Sequence, residues 1–216
     1  MKFKVIACET LREEIEKLLP EGVEFKTFGF GLHRVPDELR QSLKEEIDKT
    51  DDVDYIVLGY GLCGRGTLRL CSHRAKIVIP RIDDCIGIFL GSRKKYKKQY
   101  YKEPGTFYLT KGWIESGDDP YSEYLKLSEK YGQDKALSME KQIIRNYKRI
   151  ALINLGNQNI GKYREYAKRV AETFNLRFEE IPGSNSLIKK LLTGEWDEEF
   201  IVVQPGEKIE YDMFYK

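Results

Sequence analysis

Stretches patterned like buried strands alternate with stretches spaced like amphipathic helices along this whole chain, and few folds accept that rhythm. Lys2 to Ala7 is a short apolar strand. Thr10-Leu11-Arg12-Glu13 then offers a capping residue with an acidic third position, and Leu11, Ile15, Leu18 and Leu19 keep helical spacing until Pro20-Glu21-Gly22 stops the helix. Val23 to Phe28 reads as a second strand, and Pro36 opens a helix through Leu39, Leu43 and Ile47. Val53 to Leu58 and Lys76 to Pro80 are further strands, rich in β-branched residues. A helix follows Asp83-Asp84-Cys85, and Gly105 to Thr110 is a fifth strand ended by Gly112-Trp113. Residues 120 to 147 are helical, with a break near Tyr131-Gly132-Gln133-Asp134. The rhythm then resumes with strands at Arg149 to Leu155, Leu176 to Ile181 and Phe200 to Gln204, and helices at Lys162 to Phe174 and Ser186 to Leu192.

Such a series predicts an α/β, Rossmann-like fold of parallel sheets built from right-handed βαβ units. The long helical stretch suggests two halves facing a cleft. Residues 1–115 would form an N-terminal α/β half, 116–148 a helical crossover, and 149–216 a C-terminal α/β half.

In parallel sheets the carboxyl ends of the strands share one edge, where ligands bind. Cys8, Cys63 and Cys85 each lie just beyond a predicted strand, so three thiols distant in sequence are expected to meet there. Soft thiolates favour zinc, copper(I) or an iron–sulfur cluster. Three cysteines without a fourth suggest a [4Fe–4S] cluster with one iron open to a ligand, and zinc using Cys and His ligands is the alternative. No Cys-x-x-Cys pair is present, so the argument is topological. The turn Gly59-Tyr60-Gly61-Leu62-Cys63-Gly64-Arg65-Gly66 has glycines that allow close approach of backbone to a ligand. It lacks both the P-loop ending and a dinucleotide fingerprint. Cys71, in Leu68-Arg69-Leu70-Cys71-Ser72-His73, reads as a packing residue in a helix leaving the edge.

His33 follows the second strand and reaches the same edge, as a proton donor or a fourth ligand. Asp84 is a candidate for proton transfer or for orienting His33, and equally an N-cap. Arg81 and Arg93 are candidates to hold an anionic small-molecule substrate. In the second half, Asn157 and Ser184 follow strands, and their polar side chains are candidates to contact that substrate.

Composition narrows the function. Net charge is +2, and the 33% charged residues mix both signs, so no nucleic-acid partner is expected. The basic run Arg93-Lys94-Lys95-Tyr96-Lys97-Lys98 reads as a solvated helix face. Four cysteines do not make a disulfide scaffold. The first residues enter a strand at once, and no apolar run would span a bilayer, so a cytoplasmic protein with reduced thiols and no membrane partner is expected.

Ala7-Cys8-Glu9, Gly31-Leu32-His33, the Gly59–Gly64 turn and Val78-Ile79-Pro80-Arg81-Ile82-Asp83-Asp84-Cys85 resemble an uncharacterised family, the domain of unknown function 1638 family. Phe89-Leu90-Gly91-Ser92-Arg93, Gly112-Trp113 and Gly194-Glu195-Trp196 extend the resemblance over nearly the whole chain. Cys8, His33, Cys63, Asp84 and Cys85 fall on its motifs, and Cys71 does not. The resemblance implies an anaerobic setting near corrinoid-dependent methyltransferases, hence one-carbon metabolism, with a corrinoid protein or methyltransferase as partner. In plan, the three-thiol arrangement is also similar to small desulfidases whose [4Fe–4S] cluster takes sulfide from a substrate. The expectation is therefore a metalloprotein of iron–sulfur lyase, desulfidase or transferase type. The other outcomes are a zinc enzyme or a non-catalytic metal or corrinoid carrier.

Overall fold

A computed structural model describes residues 1–215. The protein is α/β and divides into two compact units. The first joins Met1–Lys95 to the chain from Ser184 onward, and the second is Tyr96–Gly183.

The first unit is built on a five-stranded sheet. Its strands are β1 (Phe3–Cys8), β2 (Glu24–Phe28), β3 (Tyr55–Gly59), β4 (Lys76–Pro80) and β8 (Phe200–Val203), in the order β2-β1-β3-β4-β8. The first four run parallel, as expected, with Ala7 opposite both Thr27 and Gly59. β1 is buried at all six positions, which explains its unbroken apolar character. Even its Lys4 is buried, and its ammonium lies 2.6 Å from Glu24 and 2.5 Å from Glu46. A Cβ on Gly59 would lie 2.5 Å from the Ala7 Cβ, so only glycine lets β1 and β3 meet at this end.

Helices α1 (Arg12–Glu16) and α2 (Pro36–Lys49) follow β1 and β2. Leu39, Leu43 and Ile47 form the buried stripe of α2. Between β3 and β4 the chain makes only a 3-10 turn, Cys63–Arg65, so Cys71 lies in irregular chain and not in the expected helix. Helix α3 (Cys85–Leu90) follows β4 and leads into α4 (Arg93–Lys102).

The second unit holds β5 (Thr106–Leu109), β6 (Arg149–Asn154) and β7 (Arg177–Pro182) in a parallel sheet of order β5-β6-β7. Its helices are α5 (Lys111–Ser116), α6 (Pro120–Tyr131), α7 (Gln133–Ile143) and α8 (Ile160–Phe174). Trp113 lies within α5, not at a strand end, and the expected break between α6 and α7 falls on Gly132, at φ +80°. Leu109, Ile150, Leu152, Val170 and Phe174 are central to its core.

The boundaries differ from those expected of the sequence. β5 pairs with β6, so it belongs to the second sheet instead of the first. Helix α9 (Ser186–Thr193) buries Leu187, Ile188, Leu191 and Leu192 and packs on β3 and β4, and β8 then pairs antiparallel with β4. The end of the chain thus covers the open edge of the first sheet, with a short strand whose Val202 remains exposed. Among the described residues, no helix is long and apolar enough to cross a membrane.

Candidate functional site

The order β2-β1-β3-β4 reverses the direction of sheet growth between β1 and β3, and such a switch point opens a crevice beyond the strands' carboxyl ends. Cys8 is the last residue of β1, Cys63 follows β3, and Cys85 heads the helix after β4. Cys8 and Cys63 are buried and Cys85 half-buried, and none of them is in a disulfide.

Tyr60 follows Gly59, which pairs with Ala7 across β1 and β3, so it stands beside Cys8 and three residues before Cys63. The tyrosine side chain is 3% exposed, and its pKa is pushed well above the ordinary tyrosine value, first by burial and then by the charges of Cys8, Cys63 and Cys85. The hydroxyl oxygen is sealed from solvent and has no hydrogen-bond partner. Leaving such a group unsatisfied costs about 1–3 kcal/mol, which makes the position a place where a ligand atom is wanted.

Burial raises the Cys8 thiol, against which the hydroxyl and main-chain N–H of Thr10 pull; Thr10 Oγ1 lies 3.3 Å from the sulfur. Burial pushes Cys63 up to about 12, with the charges of Asp84 and Cys8 adding to the shift. Both are therefore thiols at neutral pH, and loading a metal on them would release protons.

The turn that carries Cys63 is held in an uncommon conformation. Cys63, Gly64 and Arg65 all have positive φ, at +45°, +62° and +75°. For the two non-glycine residues this costs on the order of 1–3 kcal/mol each, which the surroundings must hold. The Leu62 N–H donates to the Ile82 carbonyl at 2.9 Å and the Cys63 N–H to the Asp83 carbonyl at 2.8 Å, so the β3 turn is laced to the loop bearing Cys85. Arg40 of α2 grips it from the other side, donating to the carbonyls of Leu68 at 3.0 Å and Arg65 at 2.9 Å. Gly61 sits where a Cβ would lie 2.7 Å from the Ile82 carbonyl oxygen.

His33 lies on a 3-10 helix, Phe30–Arg34, beyond β2. Its main chain adjoins the Cys63 turn, since a Cβ on Gly64 would come within 3.9 Å of the His33 carbonyl. Its Nδ1 is 2.6 Å from the Phe30 carbonyl. A carbonyl only accepts, so Nδ1 carries the proton and Nε2 the lone pair in the neutral ring. Asp84 is the N-cap of α3, accepting the Ile86 N–H at 2.9 Å.

The two arginines differ. Arg81 donates to the main-chain carbonyls of Glu198 at 3.0 Å, Phe200 at 3.2 Å and Met213, which ties the end of the chain to β4. The Arg93 guanidinium lies 5.7 Å from the centre of the Tyr215 ring, and its buried Nε has no hydrogen-bond partner. Tyr215 in turn donates to Asp83 at 2.8 Å, two residues before Cys85, so a relay of side chains runs from Arg93, beyond the far end of α3, to the loop bearing Cys85. Ser184 bonds the Ser186 hydroxyl at 3.0 Å, and Ser186 donates to the Gly91 carbonyl. That places Ser184 at the end of α3 opposite to Cys85. Asn157 is buried in the second unit, after β6. Cys71 donates to the Ser72 carbonyl at 3.8 Å, in the chain between the Cys63 turn and β4.

Among the described residues, no group of three or more His, Cys, Asp or Glu side chains is arranged, as it stands, to hold a metal ion. The donor set itself, three soft sulfurs from three strand ends, is of the kind that suits a thiophilic metal or a sulfur-rich group. Sequence reasoning passed over Tyr60. The available signal was an aromatic residue with a polar tip, placed between two glycines at a strand's carboxyl end.

The fold and site define an α/β protein with a thiol-lined switch point. The chain belongs to the family described as Protein of unknown function (DUF1638), whose model matches residues 28–192. No curated protein and no solved structure matches the chain.

Proposed function

We propose that Cys8, Cys63 and Cys85 anchor a [4Fe–4S] cluster and that the protein acts on a small anionic substrate in the cytoplasm. The observation that carries this reading is the placement of Cys8, Cys63 and Cys85 at the carboxyl ends of three adjacent parallel strands, with the buried, unpartnered Tyr60 hydroxyl in the same turn as Cys63. A cluster held by three cysteines supplies one iron open to a substrate sulfur or oxygen. The chain's own residues supply the rest. His33 presents Nε2 as the proton acceptor or donor, and Asp84 fixes the helix that begins with Cys85. The Arg93 guanidinium is the group we assign to the substrate's negative charge. We propose anaerobic one-carbon, corrinoid-linked or sulfur metabolism as the setting, with a corrinoid protein or methyltransferase as partner, because the resemblance implies that setting.

Iron, zinc and acid-labile sulfide analysis of anaerobically purified protein tests the reading. Iron and sulfide in equal amounts, with absorbance near 400 nm, are expected. Stoichiometric zinc without sulfide would replace the cluster by a Cys/His zinc site. Turnover that requires an added corrinoid protein would make the chain an accessory and not a self-sufficient enzyme.

A further inference from the structure

The geometry points to Tyr60 as the hydrogen-bond donor to the sulfur-rich group held at Cys8, Cys63 and Cys85, a positioning residue that is satisfied only when the site is loaded. This inference rests on the cluster reading and adds a named group to it. Four observations carry it. The Tyr60 side chain is 3% exposed, so bulk solvent does not supply the missing partner. Its oxygen has no partner in the protein. Gly59 pairs with Ala7, so Tyr60 and Cys8 leave adjacent strands side by side, and Cys63 follows three residues on, which puts the unpartnered hydroxyl and the candidate ligands at the same end of the sheet. The turn that carries Tyr60 is fixed as well: Thr67 donates to the Gly61 carbonyl at 2.9 Å, and the Leu62 N–H donates to the Ile82 carbonyl. The backbone that carries the phenol is thus held in place.

The chemistry matches. A phenol buried in this apolar place stays neutral and keeps its proton to donate. Thiolate and sulfide sulfurs accept such bonds, and donors to cluster sulfurs raise the reduction potential. A structural tyrosine would bond to the protein and lose that bond on truncation. Tyr60 has none to lose, so removal of its oxygen must act differently in the empty and in the loaded protein.

Tyr60→Phe keeps the ring and its packing. In the metal-free protein, Y60F is expected to melt at the same temperature as wild type or higher, because a buried unsatisfied group is removed. In the loaded protein, the rise in melting temperature on loading should be smaller for Y60F than for wild type, and its cluster midpoint potential should be more negative at equal iron and sulfide content. A lower melting temperature in metal-free Y60F would overturn the inference, since it would reveal an ordinary structural bond. So would an unchanged midpoint potential in loaded Y60F, with the cluster reading left standing. Wild type that takes up no iron and sulfide on anaerobic reconstitution would overturn both. Should Y60F fail to keep its cluster, pulsed ENDOR of wild type exchanged into D2O decides: a strongly coupled exchangeable deuteron supports the bond, and none overturns it.

Discussion

Cys63 and Gly61 show how narrowly single residues constrain the site. In the cluster reading Cys63 is one of three anchors, and its thiol is buried. Cys63→Ala is expected to bring iron content close to zero after reconstitution, whereas Cys71→Ala, which alters a thiol bonded only to the Ser72 carbonyl, should leave it at the wild-type level. Full iron occupancy in Cys63→Ala would reduce the cysteines to packing residues. His33→Ala separates two roles: a proton-transferring histidine leaves the iron in place and removes turnover, whereas a ligand takes the metal with it. Gly61 is a different kind of constraint. An alanine there drives a methyl against the Ile82 carbonyl oxygen, a main-chain atom that yields only if the loop toward Cys85 moves. Gly61→Ala should cost about 1–3 kcal/mol in chemical denaturation and lower iron uptake with it. A neutral effect on both would mean the two loops are not tightly laced.

Elements, in turn, hold the strained turn in place. The left-handed run from Cys63 to Arg65 persists because β4's loop binds it on one side and α2 on the other, the latter through the hydrogen bonds of Arg40 and the packing of Pro36 and Leu39. Arg40→Ala removes both of those donors, and the expected result is a loss of about 1–3 kcal/mol together with faster reaction of Cys63 with a thiol reagent. Unchanged reactivity would assign the turn's geometry to the β3–β4 lacing and that packing. Much of this element-level plan was legible in the sequence. The apolar runs of β1, β3 and β4 were visible, and so were the thiols at their ends, because strand patterning and chain order are local properties. Strand direction and partner choice are not. Phe200-Ile201-Val202-Val203 reads the same whether it runs parallel or antiparallel, and its antiparallel pairing with β4 follows from the edge it covers. Thr106 to Leu109 carries no sign that its neighbour is β6. The Tyr60 hydroxyl was hidden for a related reason: whether a polar atom is partnered depends on burial by residues far away in sequence.

At the scale of the whole molecule, the second unit carries a polar centre of its own. In the second unit Arg149 is fully buried. It donates to Glu179 at 2.7 Å, to Thr106 at 2.9 Å and to Gln99 at 3.2 Å, while Lys102 and Arg177 also approach Glu179. The hydrogen bond from Arg149, aided by those of Lys102 and Arg177, holds the Glu179 carboxyl at about 2, against an ordinary 4.5. Because the folded value lies below the unfolded one, the stabilisation is complete above about pH 5 and is lost as the pH falls toward 2. The Glu179 side chain is itself partly exposed, so solvent screens part of this effect. Arg149→Met leaves no buried cation and should shift this acid limb to higher pH, because Glu179 then loses its principal donor. Glu179→Gln should flatten the limb, at the cost of leaving the Arg149 charge buried and unpaired, a loss of about 3–5 kcal/mol at neutral pH. Amide hydrogen exchange between pH 7 and pH 3 reads both variants. Faster exchange is expected to appear in β5, β6 and β7 before it appears in β1, β3 and β4. An acid limb identical in wild type and Glu179→Gln would place the titrating group elsewhere in the chain.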